Sequence, residues 1–270
     1  MPDCDYKCDG CGVEGCESRI QKAVLNDRSK IKRIIAVLSG KGGVGKSFVA
    51  SLLASSLAKQ GYKVGILDAD ITGPSIPKAF GLHGMLEGDE TGILPAETSQ
   101  GIKVVSVNLL VEDETKPVVY RGPALSGLIT QLYQDVTYGD LDYLLIDMPP
   151  GTADINLTIF KQIPLTGLLM VTTPQDLVNL IVSKCVNMAA LLNVPILGIV
   201  ENMSYMVCEC CGNKIYPFGK SNVASLVDDF HLPLLASLPI DPKLQELVDK
   251  GQIAQYDTND FDFLIEKIGL

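Results

Sequence analysis

The octet Gly40-Lys41-Gly42-Gly43-Val44-Gly45-Lys46-Ser47 restricts this chain more than any other feature. It satisfies G-x-x-x-x-G-K-[ST] at every fixed position, between an apolar run ending near Leu38 and a helical pattern beginning at Ser47. Glycines let backbone N–H groups turn inward around phosphate oxygens, at a helix N-terminus whose dipole favours anions. Lys46 is expected to neutralise the β- and γ-phosphates of a nucleotide, and the Ser47 hydroxyl to ligate Mg²⁺.

The rest of the chain repeats that strand–loop–helix unit. Short continuous apolar runs, the pattern of parallel strands covered on both faces, occur at Ile34–Leu38, Val64–Leu67, Val104–Val107, Tyr143–Ile146, Leu168–Val171, Ile196–Val200 and Leu234–Leu238. Helical patterns separate most of them. The clearest is amphipathic over Ser47–Gln60, with Gly61 as its stop. This alternation predicts an α/β fold, a doubly wound and mainly parallel sheet. Residues 1–30 lack apolar periodicity and read as a Cys-rich metal-binding appendage to one domain spanning 31–270. Two long loops, Thr72–Gln100 and Asn202–Gly219, are expected to carry function.

Carboxylates at the C-terminal ends of parallel strands face the ligand crevice. Asp68 and Asp70 end the second strand, and Asp147 ends a later one within Asp147-Met148-Pro149-Pro150-Gly151. Asp147 is expected in the Mg²⁺ water shell, Asp70 beside the attacking water, and Asp68 supporting the metal side. The Gly151 N–H is expected to sense the γ-phosphate, making 147–154 a switch segment.

Eight cysteines fall in three places, and such clusters in a reducing compartment point to metal or redox chemistry. Cys208 and Cys211 form C-x-x-C with Cys210 between them. Two thiolates cannot fill a four-coordinate site, whereas two copies about a two-fold axis can hold a [4Fe–4S] cluster. Cys4, Cys8, Cys11 and Cys16 could fill a site within one chain, as a cluster or as zinc. Cys185 lies in a helical apolar pattern and reads as core, while His83 and His231 read as loop or surface residues.

With Lys41 after the first glycine, the loop resembles the deviant Walker A class, which includes MinD, ParA and the nitrogenase iron protein. The resemblance implies a sandwich homodimer in which Lys41 reaches the partner's ATP, meeting the demand that an arginine finger meets. Asp68-Ala69-Asp70-Ile71-Thr72-Gly73-Pro74-Ser75, Asp147-Met148-Pro149-Pro150-Gly151-Thr152 and Asn202-Met203-Ser204 followed by C-x-x-C are similar to the Mrp/ApbC-type iron–sulfur carrier ATPases. That family implies ATP hydrolysis, a cluster bridged by Cys208 and Cys211, and transfer to apo iron–sulfur proteins. It also implies adenine contacts at Asn202 and Pro239, and gives Cys210 no role. One eukaryotic branch also has four N-terminal cysteines, but with a much longer first gap.

A net charge of −10, from 22 basic and 32 acidic residues, argues against nucleic-acid binding. No apolar run approaches the roughly 18 to 20 residues that span a bilayer, and the N-terminus lacks a signal pattern, so a cytoplasmic, membrane-free protein is expected. A ParA/MinD-type positioning ATPase would need a basic DNA-binding face or membrane helix, which the acidic start of Asp257–Leu270 does not offer. Two further rivals share part of the pattern. One is an ATP-gated electron-transfer protein, which would use single bridging cysteines rather than C-x-x-C. The other is a zinc-binding module with a vestigial nucleotide site.

Overall fold

A computed structural model describes residues 22–70, 75–90, 92–110, 122–219, 221 and 223–268. It opens with β1 (Lys30–Ser39), α1 (Lys46–Lys59), β2 (Val64–Asp68) and α2 (Ser75–Phe80). Three two-residue strands follow, β3 (Gly88–Asp89), β4 (Gly92–Ile93) and β5 (Ala96–Glu97), before β6 (Lys103–Ser106). Next come α3 (Gly122–Gln134), β7 (Asp140–Asp147), α4 (Asp154–Gln162), β8 (Gly167–Thr172) and α5 (Asp176–Leu191). The chain ends with β9 (Ile196–Val207), β10 (Lys214–Ile215), α6 (Val223–Phe230), β11 (Leu234–Pro239), α7 (Pro242–Asp249) and α8 (Asn259–Ile268).

The main sheet has the order β10-β9-β8-β1-β7-β2-β6-β5, with β11 also pairing β9. Its long strands all pair in parallel, and only the short β5 and β10 run antiparallel. Successive side chains of a strand point to opposite faces, so β1 feeds two cores. Ile34, Ala36 and Leu38 join the cluster under α3 to α6, and Ile35 and Val37 the one under α1, α2 and α8. Both faces are covered, which is why the strands read as unbroken apolar runs.

Each of the seven expected strands is present. Helix α1 departs from the expected amphipathic pattern. Its outward residues Ala50, Ser51, Ala54 and Ser55 are also fully buried. Helices α2 and α8 both pack on α1, and the C-terminal segment also bonds it: Ser56 Oγ donates to Asp262 Oδ1 (2.5 Å) and Lys59 Nζ to the Tyr256 carbonyl (2.8 Å). The first long loop contains α2 and β3 to β5, although residues 72–74 and 91 within it lie outside the described residues.

The second long loop begins as strand. Sequence placed Asn202 just after a strand ending at Val200, whereas β9 runs on to Val207 and folds back onto β10, with Val207 opposite Lys214 and Met206 opposite Ile215. Apolarity fades after Val200, but backbone pairing with β11 carries β9 on to Tyr205.

Residues 23–29 are docked on the body. The Ala23 N–H donates to the Gln162 carbonyl (2.8 Å), the Asn26 N–H to Gln134 (3.1 Å), and Asn26 Nδ2 to Val136 (2.9 Å). Lys30 itself already pairs with Asp140 inside the sheet.

Candidate functional site

The octet connects the C-terminal end of β1, the middle strand of the parallel sheet, to α1. Gly43 and Gly45 both take φ +79°, a left-handed turn that side-chain-bearing residues resist. Ser39, Gly42, Gly43, Gly45, Lys46, Ser47, Phe48 and Asp70 line a cleft of about 320 Å³, closed by Ser75, Pro150 and Met203. Lys41 is exposed at its rim, and Gly40 and Val44 are buried.

Two carboxylates pair with Lys46 there. Its Nζ lies 2.5 Å from Asp147 Oδ1 and 3.3 Å from Asp70 Oδ2. Burial works to lower the Lys46 pKa, yet Asp147 and Asp70 outweigh it and hold the ammonium above its ordinary value. Asp68 and Asp147 are register partners on β2 and β7. Desolvation, then the neighbouring Asp147 charge, raises the Asp68 carboxyl well above the usual range, even though Ser106 Oγ (2.8 Å) and the Asp70 N–H (3.1 Å) donate to it. Desolvation also raises Asp147, with Lys46 and Ser47 opposing.

Asp147 Oδ2 is buried with no hydrogen-bond partner among the described residues. An anionic oxygen lacking a donor, with a serine hydroxyl beside the same carboxylate, suits a hard divalent cation. The residues present therefore fit Mg²⁺.

Gly151 takes φ +76° and its N–H donates to the Ser39 carbonyl (2.7 Å). A γ-phosphate would have to replace that bond to engage it. The Gly151 carbonyl accepts from Asn156 Nδ2 (2.8 Å) and more distantly from the thiol of Cys185 (3.6 Å). Cys185 is core as expected, and burial pushes its thiol up to about 11. His83 and His231 are exposed. Asn202 is buried, and its Nδ2 donates to the Val44 carbonyl (2.9 Å). Pro239, half-buried, ends β11 opposite Tyr205.

Cys208, Cys210 and Cys211 occupy the turn between β9 and β10, six to nine residues beyond Asn202 along the chain. The Cys208 N–H donates to Asn213 (2.9 Å), and its carbonyl accepts from Gly212 (2.8 Å). Backbone N–H groups of Cys211 and then Cys210 hold the Cys208 thiol below its ordinary pKa, which favours the ligating thiolate. Cys210 and Cys211 are exposed, as are Val207, Ile215, Tyr216 and Phe218 around them. Among the described residues no three potential ligands converge on a metal position. Cys4, Cys8, Cys11 and Cys16 lie outside the described residues.

Sequence reasoning missed Glu201. This buried carboxylate accepts from Ser204 Oγ (2.6 Å) and from Ser221 Oγ, tying β9 to the segment before α6. A charged residue just past an apolar run was the available signal.

Residues 30–268 match the profile of the ParA-type family described as NUBPL iron-transfer P-loop NTPase. The chain is 46% identical over 259 residues to the iron-sulfur cluster carrier protein of Clostridium perfringens (strain 13 / Type A), covering 93% of this chain and 91% of that one. A relative of the same description from Methanocaldococcus jannaschii is 44% identical over 260 residues, covering 93% and 90%. The nucleotide-binding protein of Archaeoglobus fulgidus, solved in complex with ADP, superposes with a TM-score of 0.77 at 42% identity, covering 87% of this chain and 92% of that one. Pyrococcus furiosus MinD, at 23% identity over 88% of this chain and 98% of its own, shares the fold with a TM-score of 0.62. With its phosphate loop, strand-end carboxylates and near full-length match, the chain belongs to the iron-transfer P-loop NTPase family.

Proposed function

We propose that this chain is an ATPase that carries an iron–sulfur cluster and hands it to apo-proteins. The observation that carries the reading is the C-x-x-C turn, which extends from the strand bordering the nucleotide cleft. Cys208 has a depressed pKa, and Cys208 and Cys211 supply two of the four thiolates that a [4Fe–4S] cargo requires. A second copy supplies the other two. The names of the Clostridium and Methanocaldococcus relatives support the same cargo.

In this reading Lys46 exchanges its carboxylate partners for the β- and γ-phosphates of ATP. Ser47 would ligate Mg²⁺ and Asp147 would hold its water shell, the ion offsetting phosphate charge when bound. Asp70 positions the attacking water, Asp68 supports Asp147, and Lys41 crosses to the partner's nucleotide. The Gly151 N–H leaves Ser39 for the γ-phosphate, Asn202 and Pro239 border the base, and Cys4, Cys8, Cys11 and Cys16 form a second metal-binding group. The protein acts in the cytoplasm without a membrane or nucleic-acid partner. Among the described residues no helix is long and apolar enough to cross a membrane.

Anaerobic reconstitution with iron and sulfide, then incubation with an apo [4Fe–4S] acceptor with and without ATP, tests the reading. Stoichiometric iron and sulfide on the dimer, followed by acceptor activation, is the expected result. Zinc as the sole bound metal would overturn it.

A further inference from the structure

The Asn202 side chain sits on the phosphate loop. Its Nδ2 donates to the carbonyl of Val44, flanked by the two left-handed glycines, Gly43 and Gly45. A loop that turns its N–H groups inward must turn carbonyls outward, and a buried carbonyl needs a donor. Asn202 supplies one, in a tight fit: a Cβ on Gly45 would collide with Asn202 Nδ2.

Asn202 is itself held by an irregular stretch of β9. Between the pairs Glu201–Ser237 and Tyr205–Pro239, three residues of β9 face one of β11. Such bulges re-aim side chains beside functional sites. Within this one Met203 takes φ +56°, a conformation that non-glycine residues adopt only when their surroundings impose it. Buried Glu201, accepting from Ser204 and Ser221, braces the near side.

We infer that Asn202 is a positioning residue for the phosphate loop, holding the Val44 carbonyl away from the cleft so that the loop's N–H groups are set for phosphate before any nucleotide arrives. The inference rests on the nucleotide-binding reading above, and it assigns Asn202 a role independent of the base. Inorganic tripolyphosphate, which has the phosphates without base or ribose, separates the two roles.

Mg²⁺–ATP and Mg²⁺–tripolyphosphate affinities are measured by calorimetry on the full chain and on Asn202→Asp, which turns an acceptor toward the Val44 carbonyl, and Asn202→Ala. Both ligands are expected to weaken by a common factor of about tenfold, the scale of one buried hydrogen bond. Hydrogen exchange in the ligand-free protein gives a second readout. Amides 40–47 should exchange faster in both variants while those of β1 and β7 keep wild-type rates, which general destabilisation would not produce. Loss of ATP affinity alone, with loop exchange unchanged, would mean that Asn202 reads the base and would overturn the inference. A wild-type chain that binds neither ligand would instead refute the nucleotide-binding reading, and this inference with it.

Discussion

Lys46 and Asp147 form a buried ion pair, Nζ to Oδ1 2.5 Å, with side chains 5% and 0% exposed. The lysine assigned to phosphate is therefore engaged by the carboxylate assigned to Mg²⁺. Nucleotide and metal together would exchange one set of charge pairs for another, leaving no buried charge unopposed. Removing the lysine leaves Asp147 buried without its cation. Loss of one partner of such a pair costs about 3–5 kcal/mol. Lys46→Ala should lower the melting temperature by roughly 6–20 °C at about 2–4 °C per kcal/mol, and abolish ATP binding. Adding Asp147→Asn should restore much of the stability but none of the binding. Calorimetry on the single and double variants decides this, and wild-type melting in Lys46→Ala would remove the buried pair from the account.

Asp68 supplies a pH test. It lies opposite Asp147, and burial with that like charge raises its carboxyl well above 3.8. A carboxyl raised on folding favours the native state below its unfolded pKa, and that contribution is lost as pH rises through the folded value. Asp68→Asn, uncharged at any pH, should thus melt a few degrees above the wild type at neutral pH. The gap should narrow as pH falls through the raised Asp68 range. ATP hydrolysis should fall in the same variant. A gap that widens on acidification would mean that Asp68 is stabilised as the anion.

Lys41 is exposed, so its removal should leave stability within about 0.5 kcal/mol. If it acts across a dimer on the transition state, Lys41→Ala should retain ATP binding and lose about 10³-fold or more in hydrolysis. Phosphate release at the wild-type rate would rule out the sandwich dimer.

The core strands, the octet and the strand-end aspartates were legible because burial on both faces and phosphate chemistry each leave a local pattern. What was not legible depends on partners distant in sequence. The continuation of β9 past Glu201 rests on pairing with β11, and the Asn202 contact to Val44 spans 158 positions. The Gly151 N–H reads as a free sensor until its bond to the Ser39 carbonyl is seen. Ala50, Ser51, Ala54 and Ser55 look like a solvent face, yet with α2 and α8 packed on α1 they are fully buried.

The docking of residues 23–29 separates two truncations. Deleting residues 1–21 spares the bonds from Ala23, Asn26 and Ser29, so the shortened chain should keep its melting temperature and ATP affinity. Deleting 1–29 removes those bonds and bares the start of β1, and melting should drop by several degrees. If the N-terminal cysteines hold a cluster like that of the C-x-x-C turn, one per chain against one bridged per dimer, the shorter deletion should also lose about two thirds of the iron of the reconstituted protein, by the thiolate count. Full iron retention would leave zinc or no metal for Cys4, Cys8, Cys11 and Cys16.

The same 22–270 background isolates the turn between β9 and β10. Each thiolate lost opens a coordination position, and a bridged cluster loses two at once because both copies carry the change. Cys208 receives the N–H groups of Cys211 and Cys210, which hold its thiol below its ordinary pKa. Cys211, exposed and three positions on, completes the C-x-x-C pair. Cys208→Ser and Cys211→Ser should each strip nearly all iron after anaerobic reconstitution and shift the cluster-dependent dimer toward monomer in sedimentation. Cys210→Ser should keep most of the iron and the dimer. None of the three should alter melting of the metal-free protein by more than about 0.5 kcal/mol, since the turn lies outside both cores. Equal iron loss in all three variants would mean that the ligand pair is not Cys208 and Cys211 alone, and iron bound without any dimer would mean that one copy completes the site unaided.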